Sequence, residues 1–170
     1  MSEKIYIFDT TLLDGEQSAG VSFSLKEKIK IAKQLERLGV DIIEAGFPCT
    51  SPGDMESVKA ISKEVRESSI CGLARAVKSD IDAAWEGIKE AADPRIHVFV
   101  NTSDIQLANQ LRKNRDEVLV MTEAMVKHAV GFTSNVEFSP MDATRSDPEF
   151  MYKIIETAIA AGANTVNVPD

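Results

Sequence analysis

Residues 24–45 read Ser24-Leu25-Lys26-Glu27-Lys28-Ile29-Lys30-Ile31-Ala32-Lys33-Gln34-Leu35-Glu36-Arg37-Leu38-Gly39-Val40-Asp41-Ile42-Ile43-Glu44-Ala45, a helix and a strand back to back. Ser24 followed three positions later by Glu27 is a capping-box pattern, in which each side chain satisfies a backbone N–H at the helix start. Ile29, Ala32, Leu35 and Leu38 then recur at helical spacing, which predicts one apolar face turned to a core. Gly39 ends the helix, because glycine takes the left-handed conformation without a steric penalty, and the run over 40–45 reads as a buried strand.

The alternation extends in both directions. Residues 5–8, Ile-Tyr-Ile-Phe, are a short apolar run closed by Asp9-Thr10-Thr11 and predict a first buried strand. After Gly46-Phe47-Pro48, a Ser-Pro-Gly turn leads into a helix carrying Met55, Val58, Ile61 and Val65. Residues 70–76 predict strand three, a helix from Ser79 or Asp80 runs through Ala84, Trp85 and Ile88, and Pro94 stops it before strand four at 96–100. The polar loop 101–104 precedes a short helix to about Leu111 and a longer one from Asp116. Strand five opens at 136–138, Asp147-Pro148 starts a last helix that Gly162 stops, and strand six occupies 165–168.

About five strand–helix units of roughly 30 to 35 residues plus a sixth parallel strand predict an α/β fold with a parallel sheet. A doubly wound sheet and a (β/α)8 barrel share this periodicity, but no G-x-G-x-x-G follows strand one, so a dinucleotide fold lacks its signature. The 170 residues fit one domain over 1–170 with a sizeable core. With 27 acidic against 19 basic residues and a net charge of −8, a nucleic-acid partner is not expected. No apolar run reaches the roughly 18 residues of a membrane span, the N-terminus lacks a secretion pattern, and Cys49 and Cys71 have no ligand-like spacing. A cytoplasmic chain with reduced thiols is the expectation.

Polar residues gather where the strands end: Asp9, Asp14, Glu16 and Gln17 after the first, Glu44 at the second, Arg75 at the third. His97 lies in the fourth, Glu137, Ser139 and Asp142 at the fifth, and Asn167 and Asp170 after the sixth. In parallel α/β folds these ends share the ligand-binding face. Carboxylates there suit Mg or Mn, and an added imidazole suits Zn.

The stretch Phe8-Asp9-Thr10-Thr11-Leu12-Leu13-Asp14-Gly15-Glu16-Gln17 resembles the opening of the 2-isopropylmalate synthase catalytic barrel, within the wider group of synthases and lyases built on a metal-binding TIM barrel. The likeness continues in order through Ile43-Glu44-Ala45-Gly46-Phe47-Pro48, Ser51-Pro52-Gly53-Asp54, Leu73-Ala74-Arg75 and Arg95-Ile96-His97. It ends with Glu137-Phe138-Ser139-Pro140, Asp142-Ala143-Thr144-Arg145-Ser146-Asp147 and Asn167-Val168-Pro169-Asp170. The resemblance implies a partial (β/α)8 TIM barrel and a Claisen-type condensation of acetyl-CoA with the 2-oxo acid 3-methyl-2-oxobutanoate in leucine biosynthesis. It implies a divalent metal (Mg, Mn or Zn) that polarises the keto-acid carbonyl. Carried over by position, Asp14 is a metal ligand, Glu44 a supporting catalytic acid, and His97, Ser139 and Gln17 substrate-binding residues.

Departures from the family pattern fall on the same face. The family carries Arg at the position of Leu13 and Glu at that of Met141, and many relatives have His at that of Gln106. Leucine donates no hydrogen bond and a thioether shuttles no protons. The family's remaining metal ligands and its strands seven and eight correspond to positions past Asp170. These departures predict a chain that does not turn over alone and binds metal weakly or not at all. Its open edges would be satisfied by a homo-oligomer or by a complementing half-barrel. The alternative is a non-catalytic or engineered partial-barrel scaffold that self-associates, with Leu13 and Met141 converting a polar cavity into core.

Overall fold

A computed structural model describes residues 4–169. Its sheet follows chain order, β1 (Phe8–Asp9), β2 (Ile42–Gly46), β3 (Ser69–Arg75), β4 (Pro94–Asn101), β5 (Val136–Met141) and β6 (Thr165–Val166). Two compact units make up the chain, one from the residues up to Leu73 with Ala83–Arg95, the other from Ala74–Asp82 with the residues from Ile96 on.

In the first unit β1, β2 and β3 pair in parallel, with Phe8 opposite Ile42 and Ile43 opposite Ile70. Helix α1 (Leu25–Leu38) is capped at both ends by its own sequence. Glu27 accepts from Ser24 N at 2.8 Å, Ser24 Oγ accepts from Glu27 N at 3.4 Å, and Gly39 closes the helix at φ 85°. Helix α2 (Pro52–Glu64) starts on Ser51, whose hydroxyl accepts from Asp54 N at 3.0 Å, with proline at the first helical position. Val58, Ile61, Val65, Ile43 and Ile70 are fully buried and form the apolar contacts that hold these elements. Helix α3 (Lys78–Ile88) starts in the second unit and ends in the first.

In the second unit β4, β5 and β6 pair in parallel, in a register that sets His97 opposite Glu137, Phe99 opposite Ser139 and Asn101 opposite Met141. A single α-turn, α4 (Asp104–Gln106), runs on into a π-helical turn over Leu107–Leu111. Helices α5 (Arg115–Val130) and α6 (Pro148–Ala160) pack on each other and on β5. Phe138, Val98, Val126 and Ile154 are buried between these layers.

Three sequence expectations are corrected. The apolar run 5–8 is not a buried strand: only Phe8 of it joins β1, and Ile5, Tyr6 and Ile7 are 80, 63 and 54% exposed. Among the described residues no element covers them, and polar contacts hold the segment instead, Ile7 N donating to Asp41 Oδ2 at 2.9 Å and Lys4 lying 4.2 Å from the Tyr6 ring centroid. Leu38, last of the apolar series on α1, is 75% exposed, because the helix ends before that turn reaches the core. Helix α5 starts a turn-edge earlier than Asp116, on a second capping box in which Asn114 accepts from Glu117 N at 2.9 Å and Glu117 from Asn114 N at 2.8 Å.

Candidate functional site

After β1 the chain folds back tightly. Asp9 accepts from Thr11 N at 2.9 Å, and Thr10 O accepts from both Leu13 N and Gly15 N. Leu12 plugs into the core at 1% exposure, while Asp14, next along, is exposed and sits before a 3-10 turn, Gly15–Gln17. Leu13 is half-buried and, with Leu12, Glu16, Gln17, Gly46, Phe47, Thr50 and Asp54, lines an open pocket of about 180 Å³. The turn therefore brings Gln17 and Leu13 to one pocket. Glu44 lies in β2 beneath the next loop, 2% exposed and opposite the buried Cys71 of β3.

Lys28 was not singled out by sequence reasoning. It is 6% exposed, and its Nζ lies 2.6 Å from Glu16 Oε2 and 3.6 Å from Asp54 Oδ1. Its position four residues before Ala32, on the face that enters the core, was the available signal. Burial pushes the Asp54 carboxyl up, but hydrogen bonds from Thr50 and Ser51 and the Lys28 ammonium outweigh it, so Asp54 titrates below its ordinary range.

In the second unit His97 and Ser139 meet. His97 Nε2 lies 2.6 Å from Ser139 Oγ and 4.0 Å from Glu137 Oε1, and all three residues are buried. Asn167, just past β6, donates its side-chain N–H to Ser139 Oγ at 3.0 Å, while its backbone N–H donates to Phe138 O. Ser139 thus accepts from Asn167 while sharing a second hydrogen bond with the imidazole. The result is a largely desolvated hydrogen-bonding cluster built from the middle of β4, from β5 and from the residue just past β6.

Met141 ends β5 at 40% exposure, and its carbonyl accepts from Thr102 N at 3.2 Å and Thr102 Oγ1 at 2.9 Å. Asp142 follows at φ 65°, with Arg145 Nε 2.7 Å from its carboxylate and holding that carboxyl below its ordinary pKa. Gln106 accepts from Asn101 Nδ2 at 2.9 Å, a tie between the end of α4 and the end of β4. Arg115, also missed from sequence, joins Asp104 at 2.8 Å and Asp147 at 3.2 Å, so the turns after β4 and β5 share one guanidinium.

A divalent cation takes six or more oxygen ligands in Ca or Mg sites and about four donors in Zn sites. Of the ligands the resemblance assigns, Asp14 alone falls within the described residues, and its neighbour Glu16 is taken up by Phe23 N at 3.2 Å and by Lys28. Asp14 by itself is one exposed carboxylate and makes up only part of such a ligand set.

Residues 4–170 match the HMGL-like family. The chain belongs to that family. Within it, the chain is similar to 2-isopropylmalate synthases, 58% identical over 168 residues to that of Syntrophus aciditrophicus and 61% over 171 residues to that of Crocosphaera subtropica. These alignments take in 99% of this chain, but the chain spans only about a third of the length of the relatives. Among solved structures, the HMG-CoA lyase of Bacillus subtilis superposes with a TM-score of 0.80 at 19% identity, over 99% of this chain and 59% of that one. The Brucella melitensis HMG-CoA lyase gives 0.72 at 19% identity, over 99% of this chain and 62% of that one. The likeness to these HMGL-like proteins establishes the fold, a partial (β/α)8 barrel of alternating helices and parallel strands. Among the described residues no helix is long and apolar enough to cross a membrane.

Proposed function

We propose that this chain is the N-terminal portion of a 2-isopropylmalate synthase-type catalytic barrel, a cytoplasmic acyltransferase of leucine biosynthesis that joins acetyl-CoA to 3-methyl-2-oxobutanoate. The observation that carries this reading is 54–61% identity, across essentially the whole chain, to proteins of that name. The chain's share of the work is to hold substrate. The buried His97 and Ser139 with the half-buried Asn167 form a hydrogen-bonding cluster suited to the carboxylate and carbonyl oxygens of a 2-oxo acid. By resemblance, Gln17 is a further substrate-binding residue. Glu44 is the supporting acid. In this reading Asp14 contributes one ligand to a divalent metal (Mg, Mn or Zn).

Chemistry is the missing share. Leucine at 13 and methionine at 141 offer neither an oxyanion donor nor a proton carrier, and losing one oxyanion donor alone typically slows an enzyme about 100- to 1000-fold. Residues 1–170 alone are therefore inactive in this reading. A second reading, a non-catalytic scaffold that pairs with another copy or a complementing half-barrel, is favoured by the exposed Ile5, Tyr6 and Ile7 beside the short edge strand β1.

Titration with 3-methyl-2-oxobutanoate tests the first reading by imidazole NMR. The chain has two histidines, so His128 is an internal control for His97. The His97 signals are expected to shift and saturate while those of His128 stay put, with the shift lost in Ser139→Ala. No shift at His97, or equal shifts at both rings, would contradict substrate holding. Free CoA released by the chain alone is expected at the buffer level.

A further inference from the structure

Between Leu12 at 1% exposure and the half-buried Phe23, every residue from 14 to 21 is exposed or half-buried. This turn, which carries Asp14 and Gln17, has no deeply buried apolar side chain of its own to anchor it. Its backbone bonds are local, Gln17 N to Asp14 O, Ser18 N to Gly15 O and Val21 N to Ser18 O, and they shape the turn without attaching it to the unit. Glu16 makes that attachment. One carboxylate oxygen accepts from Phe23 N at 3.2 Å, and the other meets Lys28 Nζ at 2.6 Å.

Lysine is rarely buried to this degree unless paired, and an apolar residue of the same length would fill the space on α1 as well. What an apolar residue would not do is reach two carboxylates from two other segments. Asp54, the second of them, is itself fixed in the first turn of α2: Oδ2 accepts from Thr50 Oγ1 at 2.6 Å and from Ser51 Oγ at 2.7 Å, while Oδ1 faces Lys28. Three pieces of the first unit, the turn after β1, helix α1 and the start of α2, thus converge on one ammonium group. The same residues, Glu16 and Asp54, line the pocket that Gln17 and Leu13 share.

We propose that Lys28 is a positioning residue that clamps the Asp14–Gln17 turn onto α1 and the start of α2 through Glu16 and Asp54. The proposal deepens the functional reading above and rests on it for the importance of Asp14 and Gln17, but the clamp itself is tested without it.

Hydrogen exchange on the purified chain is the first arm. Lys28→Met is expected to speed exchange of the amides of residues 16–23 by about tenfold or more, with α5 and β5 amides unchanged. Lys28→Arg, which keeps the charge, is expected to retain most of the protection. Glu16→Gln, which spares the packing of α1, is expected to reproduce the loosened turn. Unchanged exchange over 16–23 in Lys28→Met, or an equal rise in every helix, would overturn the clamp.

The second arm uses the chain carrying Leu13→Arg and Met141→Glu, joined by the C-terminal remainder of a 2-isopropylmalate synthase relative. There Lys28→Met is expected to lower kcat by about tenfold or more with little change in KM for acetyl-CoA, because small misplacements of reacting groups are costly, and Lys28→Arg to recover it. An unchanged kcat would overturn the positioning role. If that assembly releases no CoA with Lys28 intact, the functional reading falls and the exchange arm alone decides the clamp.

Discussion

After the end of β1, Lys28 and Glu16 meet 2.6 Å apart, with the glutamate side chain 24% exposed; within β4 and β5, His97 and Ser139 meet at the same 2.6 Å, with both residues at 5% exposure or less. The contact distances match and the physics differs. Where solvent reaches one partner, full charges hold the structure, and salt and pH can weaken them. Where water is excluded, hydrogen bonds gain strength from the low dielectric, and losing one partner strands the others. The turn after β1 is thus an adjustable element of the first unit, and the His97–Ser139–Asn167 cluster a rigid element of the second.

The comparison can be broken by weakening each side in turn. The largest effect is expected from Phe138→Ala, which removes a fully buried ring beside Ser139 in β5 and should cost about 3–5 kcal/mol in denaturant unfolding. A loss near zero would mean that the rigid part is not supported by packing. Ser139→Ala deprives both His97 and Asn167 of a shared partner and should cost about 1–3 kcal/mol, equally at low and high salt. A strong salt dependence would show that charge, rather than hydrogen bonding, governs that cluster. Ser24→Ala breaks the capping box at the head of α1, with an expected loss of about 1 kcal/mol and faster exchange in the Lys28-held turn but not in β5.

The smallest effect is a pH dependence. Asp54 titrates below its ordinary range in the folded chain, so the unfolded chain binds the proton more tightly. Its contribution is fully present above about pH 4 and is lost as pH falls from there through the lower folded value. Asp54→Asn should flatten the acid limb of the stability–pH curve, read by urea melts between pH 5 and 2.5. An unaltered limb would remove Asp54 from the charged side of the comparison.

Local chemistry was legible in the sequence. Ser24 with Glu27, Gly39 and Asp147-Pro148 mark helix ends because caps are made by residues a few positions apart, and each forms as read, whereas the Ser51-Pro52-Gly53 turn is the start of α2 itself, with Ser51 as its cap. Residues 5–7 misled because an apolar run specifies burial only when something covers it, and no local signal shows the cover. The Asn114–Glu117 box was present in the letters but lay just upstream of Asp116, where the helix had been started. The site divides the same way. Asp14, Gln17, Glu44, His97 and Ser139 were picked by their place at strand ends and by resemblance, yet the 2.6 Å contact between His97 and Ser139 depends on the β4–β5 register, and Lys28 reaches Glu16 and Asp54 across 12 and 26 positions of chain. Register and tertiary ion pairs leave no spacing signature in one sequence.

In the function proposed above, the chain keeps the substrate-holding residues of a 2-isopropylmalate synthase-type barrel while Leu13 and Met141 withhold its chemistry. The most direct measurement is CoA release from acetyl-CoA and 3-methyl-2-oxobutanoate by the chain assembled with the C-terminal remainder of a relative, with and without Leu13→Arg and Met141→Glu. The account predicts a gain of about 100-fold or more on restoring the two residues. Equal rates before and after restoration would contradict it.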